Sequence, residues 1–227
     1  LDLPNIKLSN ILLELMDSNE KNIEIDFIEC NLEDRKSRAS AIEEILDKYS
    51  TLEILINNAA FVGQSKLEGW ATDFESQSIE TWERAMEVNL TSIFDLSKNL
   101  TPLIGKSKKG SIINIASLAA VYGLPYGLDY VASKAAVIGM TRGMARELGR
   151  DRIRVNAVAP SAVMTEGTEE FFGEKLEKAK KVIASGQVIP RNLETSDVTG
   201  TVLYLASDAS AFVTGQTHMV DGGSWFL

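Results

Sequence analysis

Ser117, Tyr130 and Lys134 are residue types that together can move a proton. A phenol can exchange a proton with a substrate oxygen, a neighbouring ammonium favours the phenolate, and a hydroxyl can donate to developing negative charge. Their spacing lets them meet. The run Ser111, Ile112, Ile113, Asn114, Ile115, Ala116 is rich in β-branched residues and reads as a buried strand, with Ser117 at its end. Gly123 and Pro125 mark a turn, and a helical segment follows. The step from Tyr130 to Lys134 places both side chains on one helix face, one turn apart. Each residue alone has a plainer reading. Tyr130 and Lys134 could be a surface pair, Ser117 a strand-end serine, Asn89 a cap or helix break, and Asn57-Asn58 a turn.

The elements that must position these residues alternate along the chain. Strands are expected at residues 1–3, 23–30, 52–56, 111–116, 153–158 and 218–220. Helices are expected at 6–16, 35–49, 79–105 (one long or two), from the Gly123–Pro125 turn to 148, and at 195–206, with a charged amphipathic stretch at 166–185. Short strands separated by longer helices mean βαβ units. The fold class is therefore α/β, a doubly wound parallel sheet with helices on both faces. No repeat or linker interrupts it, so residues 1–227 read as a single domain. In such sheets ligands sit at the carboxyl ends of the strands. Asn57, Ser117 and Pro160 each follow directly on an expected strand and so converge on one edge.

Composition narrows the function classes. The 227 residues are 44% hydrophobic and 24% charged, as in an ordinary globular protein. A net charge of −9 and a pI near 4.8 argue against nucleic acid or anionic membrane as partner. No apolar run approaches the ~20 residues of a membrane span. The one cysteine, Cys30, fits a reducing, cytoplasmic compartment. A single histidine, His218, weighs against a His-based metal site or a Ser-His-Asp triad, and no metal is expected. His218 itself reads as structural or as an interface residue. The chain opens Leu-Asp-Leu-Pro without an initiator Met and reads as a piece cut upstream.

Taken in order, these motifs resemble those of the short-chain dehydrogenase/reductase family along most of the chain. Asn57-Asn58-Ala59-Ala60 resembles the family's Asn-Asn-Ala-Gly, and Val88-Asn89-Leu90 the segment of its catalytic Asn. Ser117 resembles its catalytic Ser, and Tyr130-Val131-Ala132-Ser133-Lys134 its Tyr-x-Ala-Ser-Lys. Asn156 to Pro160 with Thr165 is similar to its Asn-x-x-x-Pro-Gly…Thr segment. Phe212 to Gln216 and Val220 to Gly223 are similar to its C-terminal strand region. Three departures stand out. The Gly-rich loop that cradles a pyrophosphate is absent, together with the first βα unit. Ala60 and Ser161 stand where the family has Gly, which matters only if those positions need a positive φ.

The resemblance implies a Rossmann-type fold and an NAD(P)-dependent oxidoreductase, an alcohol dehydrogenase or carbonyl reductase. It would move a hydride between nicotinamide and a secondary alcohol or ketone. Asn89, Ser117, Tyr130 and Lys134 would be catalytic. Tyr130 would be the general acid/base, Ser117 would hold the substrate oxygen, and Asn89 would hold a relay water. Shifting a phenol from about 10 toward 7 needs roughly 4 kcal/mol, which one ammonium about 4 Å away can supply. Lys134 is thus expected to lower the Tyr130 pKa, directly or through the cofactor ribose. Asn31, Leu32, Asn57 and Ala59 would contact the adenosine half of the cofactor. Pro160, Val163 and Thr165 would contact the nicotinamide. Asp2 would bond the ribose 2′-hydroxyl and repel a 2′-phosphate, which favours NAD over NADP. Residues 166–190 would form a substrate lid, with Phe171 and Phe172 lining an apolar pocket or packing the lid down. Trp70 and Phe74 would touch substrate or a neighbouring subunit. The long helices flanking the Ser117 strand would make homodimer or homotetramer contacts. The alternative is a catalytically inactive dinucleotide-binding or scaffold member of the same fold.

Overall fold

A computed structural model describes residues 24–62 and 67–226. Asp2, the expected strand at 1–3, the expected helix at 6–16, residue 23 and residues 63–66 lie outside the described residues, as do the side chains of Glu166, Glu170 and Phe171. The elements in chain order are α1 (Arg35–Lys48), β1 (Ile54–Asn57), α2 (Ile79–Met86), a π-helical turn (Glu87–Thr91), α3 (Ser92–Lys106), β2 (Ser111–Ile115), α4 (Ala119–Tyr122), α5 (Leu128–Leu148), β3 (Arg154–Pro160), α6 (Glu166–Phe172), α7 (Leu176–Ser185), α8 (Thr195–Ala206) and β4 (Thr217–Val220). The strands form one parallel sheet in the order β1-β2-β3-β4.

Helices cover both faces, as the alternating pattern requires. On one face Ile112 and Val155 pack against Ala41 and Ile42 of α1, Leu100 and Ile104 of α3, and Ala145 of α5. On the other, Ile113 and Val158 pack against Leu205, Val198 and Val202 of α8. β2 is therefore buried on both faces, which is why its sequence is a continuous apolar run rather than an alternating one.

The helix starts follow ordinary capping chemistry. The Asp34 carboxylate accepts from the Lys36 and Ser37 amides at 3.1 and 3.2 Å and opens α1. Glu194 and Asp197 form a reciprocal capping box at α8.

Two expectations need correction, and a third gains a detail. Residues 24–30 form no strand, because they make no ladder pairing among the described residues. The helical region at 79–106 is two helices, as one of the two readings had it, joined through a π turn that neither reading included. The stretch at 166–185 is broken at Gly173, whose φ of +48° ends α6.

A buried polar chain ties the sheet to its helices just below the strand ends. Asn57 of β1 donates to Asn114 of β2 at 2.8 Å and to Ser97 of α3 at 3.3 Å. Asn114 donates in turn to Thr141 of α5 at 2.9 Å. All four residues are buried. These directional bonds pin α3 and α5 against the β1–β2 pair in one register, which apolar contacts alone would not fix.

Gly110 leads into β2 at the opposite edge. A Cβ there would lie 2.3 Å from Ile104 Cγ2 and 3.2 Å from Ile153 Cγ1, both fully or nearly fully buried. Gly110→Ala should therefore lower stability by about 1–3 kcal/mol, read as a lower urea midpoint with an unchanged slope. An unchanged midpoint would show that Ile104 can move aside.

Candidate active site

β2 ends at Ile115, but the chain stays beside β3 for three more residues. Ala116 donates to Val158 O at 2.8 Å and Leu118 to Pro160 O at 2.9 Å. Ser117 is thereby held at the carboxyl edge of the sheet. Its hydroxyl accepts from the Ala119 amide at 3.2 Å, which opens the single turn of α4. Gly123, at φ +80°, then ends α4 and lets the chain turn into α5.

Tyr130 and Lys134 share one face of α5, as the four-residue spacing predicts. The half-buried Tyr130 hydroxyl faces Ser117 closely enough for the serine to favour its ionised form. Lys134 is fully buried, and its Nζ donates to Ile115 O at 2.7 Å, 5.8 Å from the centre of the Tyr130 ring. The electrostatics differ from expectation. Burial raises the Tyr130 pKa, and Ser117 offsets this only in part. Burial also lowers the Lys134 pKa to about 8. The ammonium bonds the Ile115 carbonyl rather than the phenol oxygen, so desolvation of the phenol dominates.

Asn89 lies in the π turn and is fully buried. Its Oδ1 accepts from the Phe61 amide at 2.6 Å, while its Nδ2 donates to Phe61 O at 3.1 Å and to Ser133 Oγ at 3.0 Å. Ser133 Oγ donates to Tyr130 O at 2.8 Å. Asn89 therefore links the segment after β1 to the turn of α5 that carries Tyr130 and Lys134. Both Nδ2 donors are taken up by these bonds, and Oδ1 accepts one.

The remaining candidates fall into two groups. Leu32, Asn57 and Ala59 line one cavity of about 160 Å³ together with Leu55, Asn58 and Ser92. The Asn57 side chain, however, is turned into the sheet, for the reason given above. Asn31 Oδ1 accepts from the Glu33 amide at 3.0 Å in a local turn. Beyond β3, Val163 pairs in parallel with Leu193, and Met164 donates to Leu193 O at 2.9 Å. Thr165 caps α6, accepting from Thr168 N at 3.3 Å. Pro160 ends β3 beside Leu118. Neither Ala60 nor Ser161 has a positive φ, so their substitution for Gly brings no backbone strain.

Trp70 does not reach outward. It is buried, edge-on to Phe61 at 5.1 Å, and so supports the segment that Asn89 holds. Phe74 is exposed. His218 stacks edge-on to Tyr204 at 6.2 Å, and burial lowers its pKa.

Two contributors carry sequence signals that motif spacing did not use. Ser133 stands inside the Tyr-to-Lys motif. Asp129 is an acidic residue in the first turn of α5, where it accepts from the Tyr130 amide at 2.8 Å while burial raises its pKa.

The chain matches one family model and several known proteins. The family model described as "Enoyl-(Acyl carrier protein) reductase" matches residues 7–224. A Thermotoga maritima protein named 3-oxoacyl-[acyl-carrier-protein] reductase FabG is 35% identical over 219 residues, covering 94% of this chain and 85% of its own length. A Mediterraneibacter gnavus 3alpha-hydroxysteroid dehydrogenase is 33% identical over 194 residues, covering 86% of this chain and 73% of its own. Among solved structures, a Beutenbergia cavernae protein assigned as an NAD(P)-dependent gluconate 5-dehydrogenase, with bound NADP at low occupancy, superposes with a TM-score of 0.84 at 28% identity, covering 97% of this chain and 83% of its own.

The depressed Lys134 pKa has a thermodynamic consequence. Between about pH 8 and 10.5 the unfolded chain holds this proton while the folded chain releases it, so stability rises with pH across that window. Relative to Lys134→Met, the parent should gain up to about 3 kcal/mol of unfolding free energy from pH 7.5 to 10.5. Denaturant titrations of both proteins across that range check this. Parallel stability profiles would contradict the buried, destabilised ammonium.

Proposed function

We propose, from the premise that this chain belongs to the short-chain dehydrogenase/reductase family, that it interconverts a ketone and a secondary alcohol with Tyr130 as its acid/base. As a member of that family it is an NAD(P)-dependent oxidoreductase acting on a small-molecule substrate. Its described residues include no helix long and apolar enough to cross a membrane. The observation that carries the proposal is the meeting of Ser117, held at the strand edge, with Tyr130 on α5, and the buried Lys134 ammonium on Ile115 O, 5.8 Å from the centre of the Tyr130 ring.

The residues present suit a bound dinucleotide. Lys134 has three N–H donors, of which Ile115 O takes one. Among the described residues, Ser161 Oγ and Asn192 Oδ1 are buried without a hydrogen-bond partner, one just after β3 and the other beside Leu193. The cofactor, when bound, supplies the hydride chemistry. Tyr130 gives its phenolic proton to the carbonyl oxygen in reduction and takes one back in oxidation. Ser117 Oγ donates to the same oxygen and fixes its position. Lys134, with two donors left free by Ile115 O, would help hold the cofactor's ribose, and it keeps positive charge near the phenol. Asn89 holds the Phe61 segment and, through Ser133, the turn bearing Tyr130. Pro160, Val163 and Thr165 would hold the nicotinamide half, while Leu32, Ala59 and the neighbouring backbone would hold the adenosine half. Residues 166–190 form the substrate lid, docked where Ile189 N donates to Gly222 O at 2.9 Å.

We favour NAD over NADP on the strength of Asp2. The chain is also proposed to form homodimers or homotetramers through α3 and α5, where Phe94 and Leu128 are exposed. As substrates, the names of the relatives suggest testing a 3-oxoacyl thioester, a 3-ketosteroid and a keto-sugar acid, followed by nicotinamide absorbance.

Tyr130→Phe should lower kcat by about 10²–10⁴-fold while leaving cofactor affinity within a few-fold. Turnover near that of the parent would remove Tyr130 from the reaction. For the cofactor, kcat/KM should be higher with NADH than with NADPH, and Asp2→Ala should narrow that ratio by about tenfold. A ratio that Asp2→Ala leaves unchanged would discard its assigned role.

A further inference from the structure

Among the described residues, two long cationic side chains are fully buried. Lys134 belongs to the site described above. The other is Arg38 on α1, and the reaction as proposed makes no use of it. Its guanidinium makes three contacts. Nε donates to Asp95 Oδ2 at 3.0 Å, Nη2 pairs with Glu87 Oε1 at 2.7 Å, and Nη1 donates to the Leu32 carbonyl. Burial would strip its charge, but the two carboxylates outweigh that and raise its pKa, so it stays charged.

The partners are informative. Glu87 is the first residue of the π turn, and Asp95 lies in the first turn of α3 just beyond it. The guanidinium thus clamps the π turn from both sides, with Asn89 between. A π turn carries one extra residue in the helical ladder and is held open by its surroundings. Arg38 supplies that hold from a separate helix. Its third partner, Leu32 O, belongs to the segment placed at the adenosine half. A planar fork can serve three acceptors in fixed directions, whereas an ammonium at this position cannot.

We propose that Arg38 is a positioning residue: it holds the π turn in the register that places Asn89 on Phe61 and Ser133, and it couples that turn to the Asn31–Leu32 segment. The proposal rests on the reading of Asn89 given above.

The test uses Arg38→Met, Arg38→Lys, Asn89→Ala and the double variant Arg38→Met/Asn89→Ala, assayed with the best ketone of the panel at a temperature where circular dichroism shows each to be folded. Both Arg38 variants should lower kcat by about tenfold and raise the cofactor KM by a smaller factor. Because Arg38 acts through Asn89, the double variant should show the kcat of Asn89→Ala alone. Amide hydrogen exchange in peptides covering residues 87–92 should also accelerate in Arg38→Met at a pH where the global stabilities match. Should Arg38→Met fail to fold, Glu87→Gln removes the same clamp from its half-exposed side and should show the same non-additivity with Asn89→Ala. An unchanged kcat, or effects that multiply in the double variant, would show that Arg38 is merely a structural ion pair. A normal kcat in Asn89→Ala alone would instead remove the reading of Asn89, and this proposal with it, so the two failures are distinguishable.

Discussion

A fully buried ammonium must find acceptors, and Lys134 finds the carbonyl of Ile115 at 2.7 Å. That bond sets a demand on the rest of the molecule. β2 must end where its last carbonyl points at α5, and α5 must lie within one side-chain length of the strand edge. The buried polar chain through Ser97, Asn57, Asn114 and Thr141 meets the demand by fixing both helices to the β1–β2 pair. Apolar packing drives α5 onto the sheet, but it tolerates sliding. Directional hydrogen bonds in a low-dielectric interior do not. The geometry of the site is therefore inherited from a polar device one layer below it.

The same burial decides the resting charges. Desolvation pushes the phenol up and the ammonium down, so at neutral pH Tyr130 keeps its proton and Lys134 its charge. As placed, the phenol is an acid, the state that protonating a carbonyl oxygen requires. An ammonium held on a backbone oxygen contributes to the phenol's field only from beneath the ring. Further positive charge, or a donor chain joining Lys134 to the phenol oxygen, is what would carry Tyr130 toward the phenolate.

Much of this was legible in the residues. The alternation of short apolar runs with amphipathic stretches carries the parallel sheet. The four-residue step from Tyr130 to Lys134 carries their common face, because helical periodicity is local. What was not legible depends on contacts distant in sequence. The π turn leaves no local signal, since Glu87 to Thr91 has ordinary helix-compatible composition. It exists because Asn89 is bonded to Phe61, 28 residues away, and to Ser133, 44 residues away. Trp70 looked like a contact residue in a polar loop but packs on Phe61, because a large aromatic near an apolar partner gains more by burial than by exposure. The raised Tyr130 pKa set by the chain's own groups is equally invisible in the sequence. Spacing places the ammonium near the phenol but cannot tell which oxygen it will bond.

Arg38 shows the same limit in its sharpest form. In the sequence it sits among the charged residues at the start of α1, where a solvated surface position is the natural reading. The fold instead buries it between two carboxylates and a carbonyl that come from three separate segments. A buried guanidinium is an expensive way to gain stability, because desolvation offsets most of the attraction, and apolar side chains of similar volume often do as well. What apolar side chains cannot do is fix the directions of three partners at once. If stability alone were at stake, a leucine would suffice; the fork is needed where a turn out of the regular helical ladder must be kept in register. The two buried cations thus divide the work, with Lys134 setting the charge at the site and Arg38 holding the frame in which that charge is placed.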